Sequence, residues 1–135
     1  PELLEEFIFP YMTKLINLAK SYGKQIILHS CGSIFKIIPK FISLGVEALH
    51  PLQAKAADMD ANSLRENFQG KIAFIGGIDT QEILIQGSPE TVKNEVYRII
   101  KLLGPRLVVS PSHEAILPDI PPQNIAAMAS AVQHY

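Results

Sequence analysis

Short apolar runs alternate with amphipathic segments along the whole chain. The apolar runs predict four strands, which are QIIL (25–28), VEAL (46–49), KIAFIGG (71–77) and RLVVS (106–110). The segments between them carry apolar residues at spacings of three and four, which is typical of helices. Nearly apolar strands separated by helices indicate parallel strands joined by right-handed crossovers. The predicted fold class is α/β, and an open doubly wound sheet and half of an eight-stranded barrel both fit.

Proline, glycine and capping residues divide the predicted helices. Pro10 interrupts the amphipathic segment 2–22, so two helices are expected there. Ser88 stands before a proline and predicts the start of a long helix, because its hydroxyl accepts a hydrogen bond from a free amide of the first turn. Asp79, followed three residues later by Glu82, predicts a capping box at the start of another helix.

Composition limits the possible partners. The chain has 135 residues and a formal net charge of −1, which fits one domain without a basic surface for nucleic acid or an anionic membrane. Its single cysteine excludes an internal disulfide, and the first residues lack the pattern of a signal peptide, so a cytoplasmic location is expected. No apolar run approaches the roughly 20 residues that a membrane span requires.

Polar residues gather at the carboxyl ends of the predicted strands, where parallel α/β proteins bind their ligands. These residues are His29, Cys31, His50, Asp79, His113 and Glu114. A structural role fits some of them equally well. A histidine near a strand end often bonds a neighbouring carbonyl, which applies to His50, and an N-cap role accounts fully for Asp79.

His29 and Cys31 differ from the other strand-end residues. They are two positions apart at a strand terminus, so both side chains point to the same side and one nitrogen and one sulfur can reach a single ion. Zinc accepts this mixture of ligands, and a catalytic zinc site has three protein ligands and an open position. The H-x-C spacing is a weak pattern when taken alone. No glycine pattern typical of nucleotide binding occurs in the chain.

Five motifs together resemble one protein superfamily. In chain order they are HSCGS, GVEALHPLQ, IAFIGGIDTQEIL, GSPETVKNEVYRIIKLLGP and VVSPSHEAILPDIPPQNIAAM. They resemble the carboxyl-terminal half of the uroporphyrinogen decarboxylase superfamily, which includes the decarboxylase and zinc-dependent methyltransferases that move methyl groups between corrinoid proteins and thiols. The superfamily fold is a (β/α)8 TIM barrel. The resemblance implies that residues 1–135 form the second half of such a barrel, with four parallel strands alternating with helices.

The resemblance also implies a ligand set. Within the superfamily H-x-C-G is typical of the methyltransferases, so His29 and Cys31 are expected to bind zinc. The methyltransferases usually supply a third ligand as a cysteine in an S-P-x-C segment after the last strand. This chain has His113 there, which becomes the predicted third ligand, with Glu114 as its substitute. True decarboxylases carry a histidine at this point that lines the substrate cleft, and His113 fits that alternative too.

The resulting hypothesis is a methyltransferase that works between a corrinoid on a partner protein and a small thiol or similar molecule. His50, Gln53 and Asp79 would line the substrate pocket, and Gln81 could offer a further amide. One alternative is a decarboxylase-like enzyme that acts on a tetrapyrrole in porphyrin biosynthesis, for which a more basic cleft is expected. Another is a non-catalytic barrel fragment, since four strands leave two open sheet edges. Such edges indicate a piece of a longer protein or a homodimer.

Overall fold

The structure is a computed structural model that describes residues 2–113 and 115–135. One parallel sheet has the strand order β1-β2-β3-β4, so each strand lies beside the next one in sequence. The elements are α1 (Glu2–Phe7), α2 (Phe9–Ser21), β1 (Ile27–His29), a 3₁₀ turn (Phe35–Ile37), α3 (Ile38–Leu44), β2 (Ala48–Leu52), α4 (Ala61–Phe68), β3 (Ala73–Ile78), α5 (Ile83–Gln86), α6 (Pro89–Leu103), β4 (Leu107–Pro111) and α7 (Pro122–Gln133). In this part of the chain no helix is both long and apolar enough to cross a membrane.

The sheet has one covered face and one bare face. Leu49 and Phe74 are neighbours in the register, and only 2% and 1% of their respective surfaces are exposed. Ile27 and Val108, which point to the opposite face at the two edges, are 62% and 58% exposed. Helices that cover one face of a sheet with unreversed strand order give half of a (β/α)8 barrel, whereas a doubly wound sheet has helices on both faces. The predicted barrel-type α/β class is confirmed.

The helix boundaries follow the sequence signals closely. The segment around Pro10 forms two helices as predicted, and α2 begins at Phe9, which places the proline in the first turn where its missing N–H is not needed. Ser88 caps α6, and its hydroxyl accepts a hydrogen bond from the Thr91 amide at 3.1 Å. The apolar side of α6 lies against α7 and β3, and its buried residues are Val92, Val96, Ile99 and Leu103.

Strand β2 extends further than the sequence predicts. The predicted strand covers residues 46–49, but β2 continues to Leu52, so His50 lies within the strand instead of at its end. Pro51 has no N–H to donate to a neighbouring strand, so a proline at this position normally indicates that a strand ends before it. The structure accommodates the proline at a shift in register between Leu49 and Leu52.

Gly76 allows β3 to approach this irregular part of β2. Its φ is +129°, and a Cβ atom at this position would lie 2.5 Å from the backbone nitrogen of Leu52. Any other residue would therefore push the two strands apart where the pairing is already irregular. The glycine therefore allows close packing of the β3 backbone against the β2 backbone.

Asp79 organises the turn between β3 and α5. Its carboxylate accepts hydrogen bonds from the amides of Gln81 at 3.2 Å, Glu82 at 2.8 Å and Ile83 at 3.3 Å. Asp79 therefore accepts amides as a capping residue does, but helix α5 begins only at Ile83, four residues later, and its N-cap position is Glu82. Glu82, expected to complete a capping box, places its carboxylate on Lys55.

A second aspartate, Asp60, caps α4. Its Oδ1 accepts hydrogen bonds from the amides of Asn62 at 3.0 Å and Ser63 at 3.1 Å, and the Ser63 hydroxyl donates to Oδ2 at 2.6 Å. The bond from the Ser63 hydroxyl, followed by the bonds from the two amides, lowers the pKa of Asp60. These bonds favour the charged form, so the cap is strongest when the carboxyl group is ionised.

The substitution Asp60→Ala is expected to lower the free energy of unfolding by about 1 kcal/mol at pH 7. Because the pKa of Asp60 is lowered on folding, its contribution is present above the unfolded-state pKa and is lost as the pH falls through the folded-state pKa. Urea denaturation at several pH values measures the difference. Glu66→Ala, an exposed change on the same helix, is the control. An unchanged stability of Asp60→Ala at pH 7 would contradict the capping role.

The substitution Asp79→Ala is expected to cost about 2 kcal/mol of unfolding free energy, because amides held by a carboxylate that is only 6% exposed lose their acceptor. Asp79→Asn keeps one acceptor oxygen and should lose less. Glu82→Ala, which removes only an exposed ion pair with Lys55, should lose the least. Thermal or urea unfolding gives the order, and a loss in Glu82→Ala equal to that in Asp79→Ala would refute the assignment.

Candidate functional site

The parallel pairing of β1 and β2 brings three predicted site residues together. The register places His29 beside His50, and the Nδ1 atoms of the two rings are 3.0 Å apart. The other ring nitrogen of His29, Nε2, lies 3.4 Å from the Sγ atom of Cys31. His29 and Cys31 are exposed and His50 is half-buried. His29 therefore has Cys31 at one nitrogen and His50 at the other.

The His29 and Cys31 pair has the donor chemistry and spacing of zinc ligands. A nitrogen and a sulfur bound at ordinary lengths to one tetrahedral zinc are about 3.5 Å apart, close to the observed separation. Among residues 2–113 and 115–135, no three histidine, cysteine, aspartate or glutamate side chains form a group that could hold a metal ion. His50 does not complete such a group, because it faces the nitrogen of His29 that points away from Cys31. The described residues thus supply two fitting donors.

The predicted third ligand lies in a neighbouring cleft. His113 helps to form a cleft of about 230 Å³ near the carboxyl ends of the last three strands, and its Nδ1 accepts a hydrogen bond from the Ala115 amide at 3.3 Å. The lining residues are Gln53, Lys55, Ala56, Asp79, Thr80, Gln81, Ser112 and His113. Glu114, the alternative third ligand, lies outside the described residues. The zinc role of the loop after β4 therefore stays a prediction.

Gln53 connects the cleft with the Cys31 loop. Its Oε1 accepts a hydrogen bond from the amide of Gly32 at 2.6 Å, and Gln53 itself lines the cleft. Since Gly32 follows Cys31 directly, this bond fixes the backbone beside the thiol. Gln53 therefore links the cleft to the loop that carries the thiol.

Charges in the cleft largely offset one another. The Nζ atom of Lys55 lies 3.9 Å from Oδ2 of Asp79 and contacts the carboxylate of Glu82. The hydrogen bond with Glu82, with further attraction from both carboxylates, raises the pKa of Lys55. Lys55 therefore stays positively charged at physiological pH, beside two negative groups. The cleft offers hydrogen-bonding partners with little excess of positive charge.

The structure separates the predicted pocket residues into two groups. Gln53 and Asp79 line the cleft, as does Gln81, whereas His50 lies beside His29 on the sheet. Sequence reasoning missed Lys55 and Thr80. Lys55 comes three residues after the end of β2. A lysine in a loop has no sequence pattern that indicates a binding site. Its place in the cleft follows only from the extension of β2 to Leu52.

A larger protein of known structure shares this fold. A methyltransferase from Methanosarcina mazei superposes with a TM-score of 0.75 at 22% sequence identity, and the match covers 99% of this chain. The chain spans only 37% of the length of that methyltransferase. A likeness at this level of identity concerns the fold. No curated protein sequence matches the chain significantly.

A family profile gives the sequence counterpart of this likeness. The profile described as Uroporphyrinogen decarboxylase (URO-D) matches residues 1–135. This range includes the H-x-C-G segment with His29 and Cys31 and the loop that carries His113. The match agrees with the motif order read from the sequence and with the half-barrel arrangement of the strands. The chain therefore belongs to the uroporphyrinogen decarboxylase family.

Proposed function

We propose that the chain is part of a zinc-dependent methyltransferase that moves a methyl group between a corrinoid, held by a partner protein, and a small thiol or similar acceptor. The observation that carries this proposal is the 3.4 Å approach of the Cys31 sulfur to Nε2 of His29 at the end of β1. The fold shared with a methyltransferase supports it. The more general description, a member of the uroporphyrinogen decarboxylase family, does not depend on this proposal.

His29 and Cys31 would hold the zinc ion, with a third ligand, His113 or Glu114, from the loop after β4. When bound, zinc supplies a Lewis acid that stabilises a thiol as thiolate, the form that attacks a methyl group. The protein's own residues build the surroundings. Gln53 fixes the Cys31 loop through the Gly32 amide, and Asp79 fixes the turn on the other side of the cleft.

The cleft would hold the polar part of the small substrate. Gln53, Gln81 and Thr80 line it with hydrogen-bonding side chains, and Lys55 provides a cation already paired with acidic groups. A volume of about 230 Å³ suits a small molecule or one end of a larger one. His50 is not among the residues that line this cleft.

A decarboxylase-like enzyme that acts on a tetrapyrrole is the second candidate. The position of His113 favours it, because this histidine lines the same cleft as Asp79. The charge of the cleft argues against it. A tetrapyrrole with several carboxylates would meet Asp79 and Glu82, and Lys55 is already bound to Glu82.

Either enzyme would need more protein than these four strands. The bare face of the sheet exposes Ile27 and Val108, and the edges β1 and β4 lack a further strand among the described residues. We infer that further barrel strands of a longer chain cover this face. A second copy paired through the open edges would be the alternative. Activity is therefore proposed for the full-length protein only.

Protein purified without chelator is expected to contain about one zinc ion per chain by elemental analysis. Cys31→Ala and His29→Ala should lose the metal, and His113→Ala should retain it more weakly, because each removes one proposed ligand. His134→Ala, a change at the carboxyl end of α7 that removes none of the proposed ligands, should bind as the wild type does. Cobalt-loaded protein should show a thiolate charge-transfer band in the near ultraviolet that disappears in Cys31→Ala. A correctly folded wild type without metal affinity would refute the zinc site.

Methyl transfer from methylcobalamin to added thiols should be measurable with the full-length protein and should fall to background in Cys31→Ala. The reason is that the thiolate-stabilising cation would be lost with its sulfur ligand. Decarboxylation of a porphyrinogen is measured in parallel with the same variants. Decarboxylation that persists in Cys31→Ala, with no methyl transfer in the wild type, would favour the second candidate instead.

A further inference from the structure

The two imidazole rings of His29 and His50 are coupled through one short contact. Their Nδ1 atoms are 3.0 Å apart, which is a hydrogen-bond distance. A neutral imidazole has one N–H and one lone pair, so this contact needs a proton on one Nδ1 and a lone pair on the other. The tautomer of one ring therefore determines the tautomer of the other.

The direction of this hydrogen bond decides what His29 presents to Cys31. If His50 donates, neutral His29 carries its proton on Nε2, the nitrogen that lies 3.4 Å from the sulfur. If His29 donates, its Nε2 has a lone pair directed toward the side of Cys31. Only the second arrangement allows Nε2 to bind a cation together with the sulfur.

We propose that His50 is a positioning residue, whose Nδ1 accepts the Nδ1 proton of His29 and so holds the Nε2 lone pair of His29 available beside Cys31. This inference rests on the proposed cation site and assigns a role to the neighbouring strand. Acceptors that hold the second nitrogen of a metal-binding histidine fix its tautomer and ring orientation, and their loss typically weakens metal binding 10–100-fold.

The backbone keeps His50 in this position independently of the side-chain contact. The strand register pairs His29 with His50, and the Ser30 amide donates a hydrogen bond to the His50 carbonyl at 2.8 Å. Ser30 stands between His29 and Cys31, so the same bond fixes the segment that carries both donors. His50 is also half-buried and does not line the polar cleft, which argues against a direct substrate contact.

The test compares His50→Asn with His50→Leu in the full-length protein. The two replacements have similar size, and only asparagine places an acceptor oxygen close to the position of Nδ1. Zinc affinity is measured by competition with a chelating dye. We expect His50→Leu to bind zinc 10–100-fold more weakly than the wild type and His50→Asn to recover most of this loss. His134→Ala is the control, and circular dichroism confirms that each variant is folded.

A second measurement reads the tautomer directly. Long-range proton–nitrogen NMR correlations on histidine-labelled protein should show His29 protonated at Nδ1 in zinc-loaded wild type, with assignment from a His29→Gln spectrum. Equal zinc affinity in wild type and His50→Leu would overturn the role of His50 and leave the zinc site intact. Equal weakening in the leucine and asparagine variants would indicate packing and would also overturn it. A folded wild type that binds no zinc would overturn the proposed function itself.

Discussion

The pairing of β1 with β2 is the constraint on which the site depends. Leu28 pairs with Leu49 on the covered face, and the next pair in the register, His29 with His50, projects to the other face. Leu49 is 2% exposed, so a slip of one residue would bring buried leucine to the bare face and imidazole into the core. Burial of apolar side chains on one face thus determines that His29 and His50 lie side by side on the opposite face.

Local sequence signals were enough to predict most of the architecture. Apolar runs gave the four strands, Pro10 divided the first helical segment, and Ser88 and Asp79 marked turns that their side chains do stabilise. The proximity of His29 and Cys31 followed from their spacing at a strand end, because side-chain direction there has a period of two residues. These features depend on residues close together in sequence.

Features that depend on distant residues were not predictable in this way. The extension of β2 through Pro51 requires Gly76 on the next strand, whose lack of a Cβ atom admits the Leu52 backbone. The place of His113 depends on the path of a loop that begins two strands away from β2 and three away from β1. Lys55 acquires its place in the cleft through Asp79 and Glu82, which lie more than twenty residues further along the chain.

The one-sided covering of the sheet bears on how such a unit forms during synthesis. Helices and strands that alternate in sequence can assemble as they emerge from the ribosome, since each strand pairs with the strand made just before it. After the four strands have paired, the sheet still exposes apolar side chains such as Ile27 and Val108. Until another structure covers that surface, the nascent half-barrel is a natural client for chaperones and a hazard for aggregation.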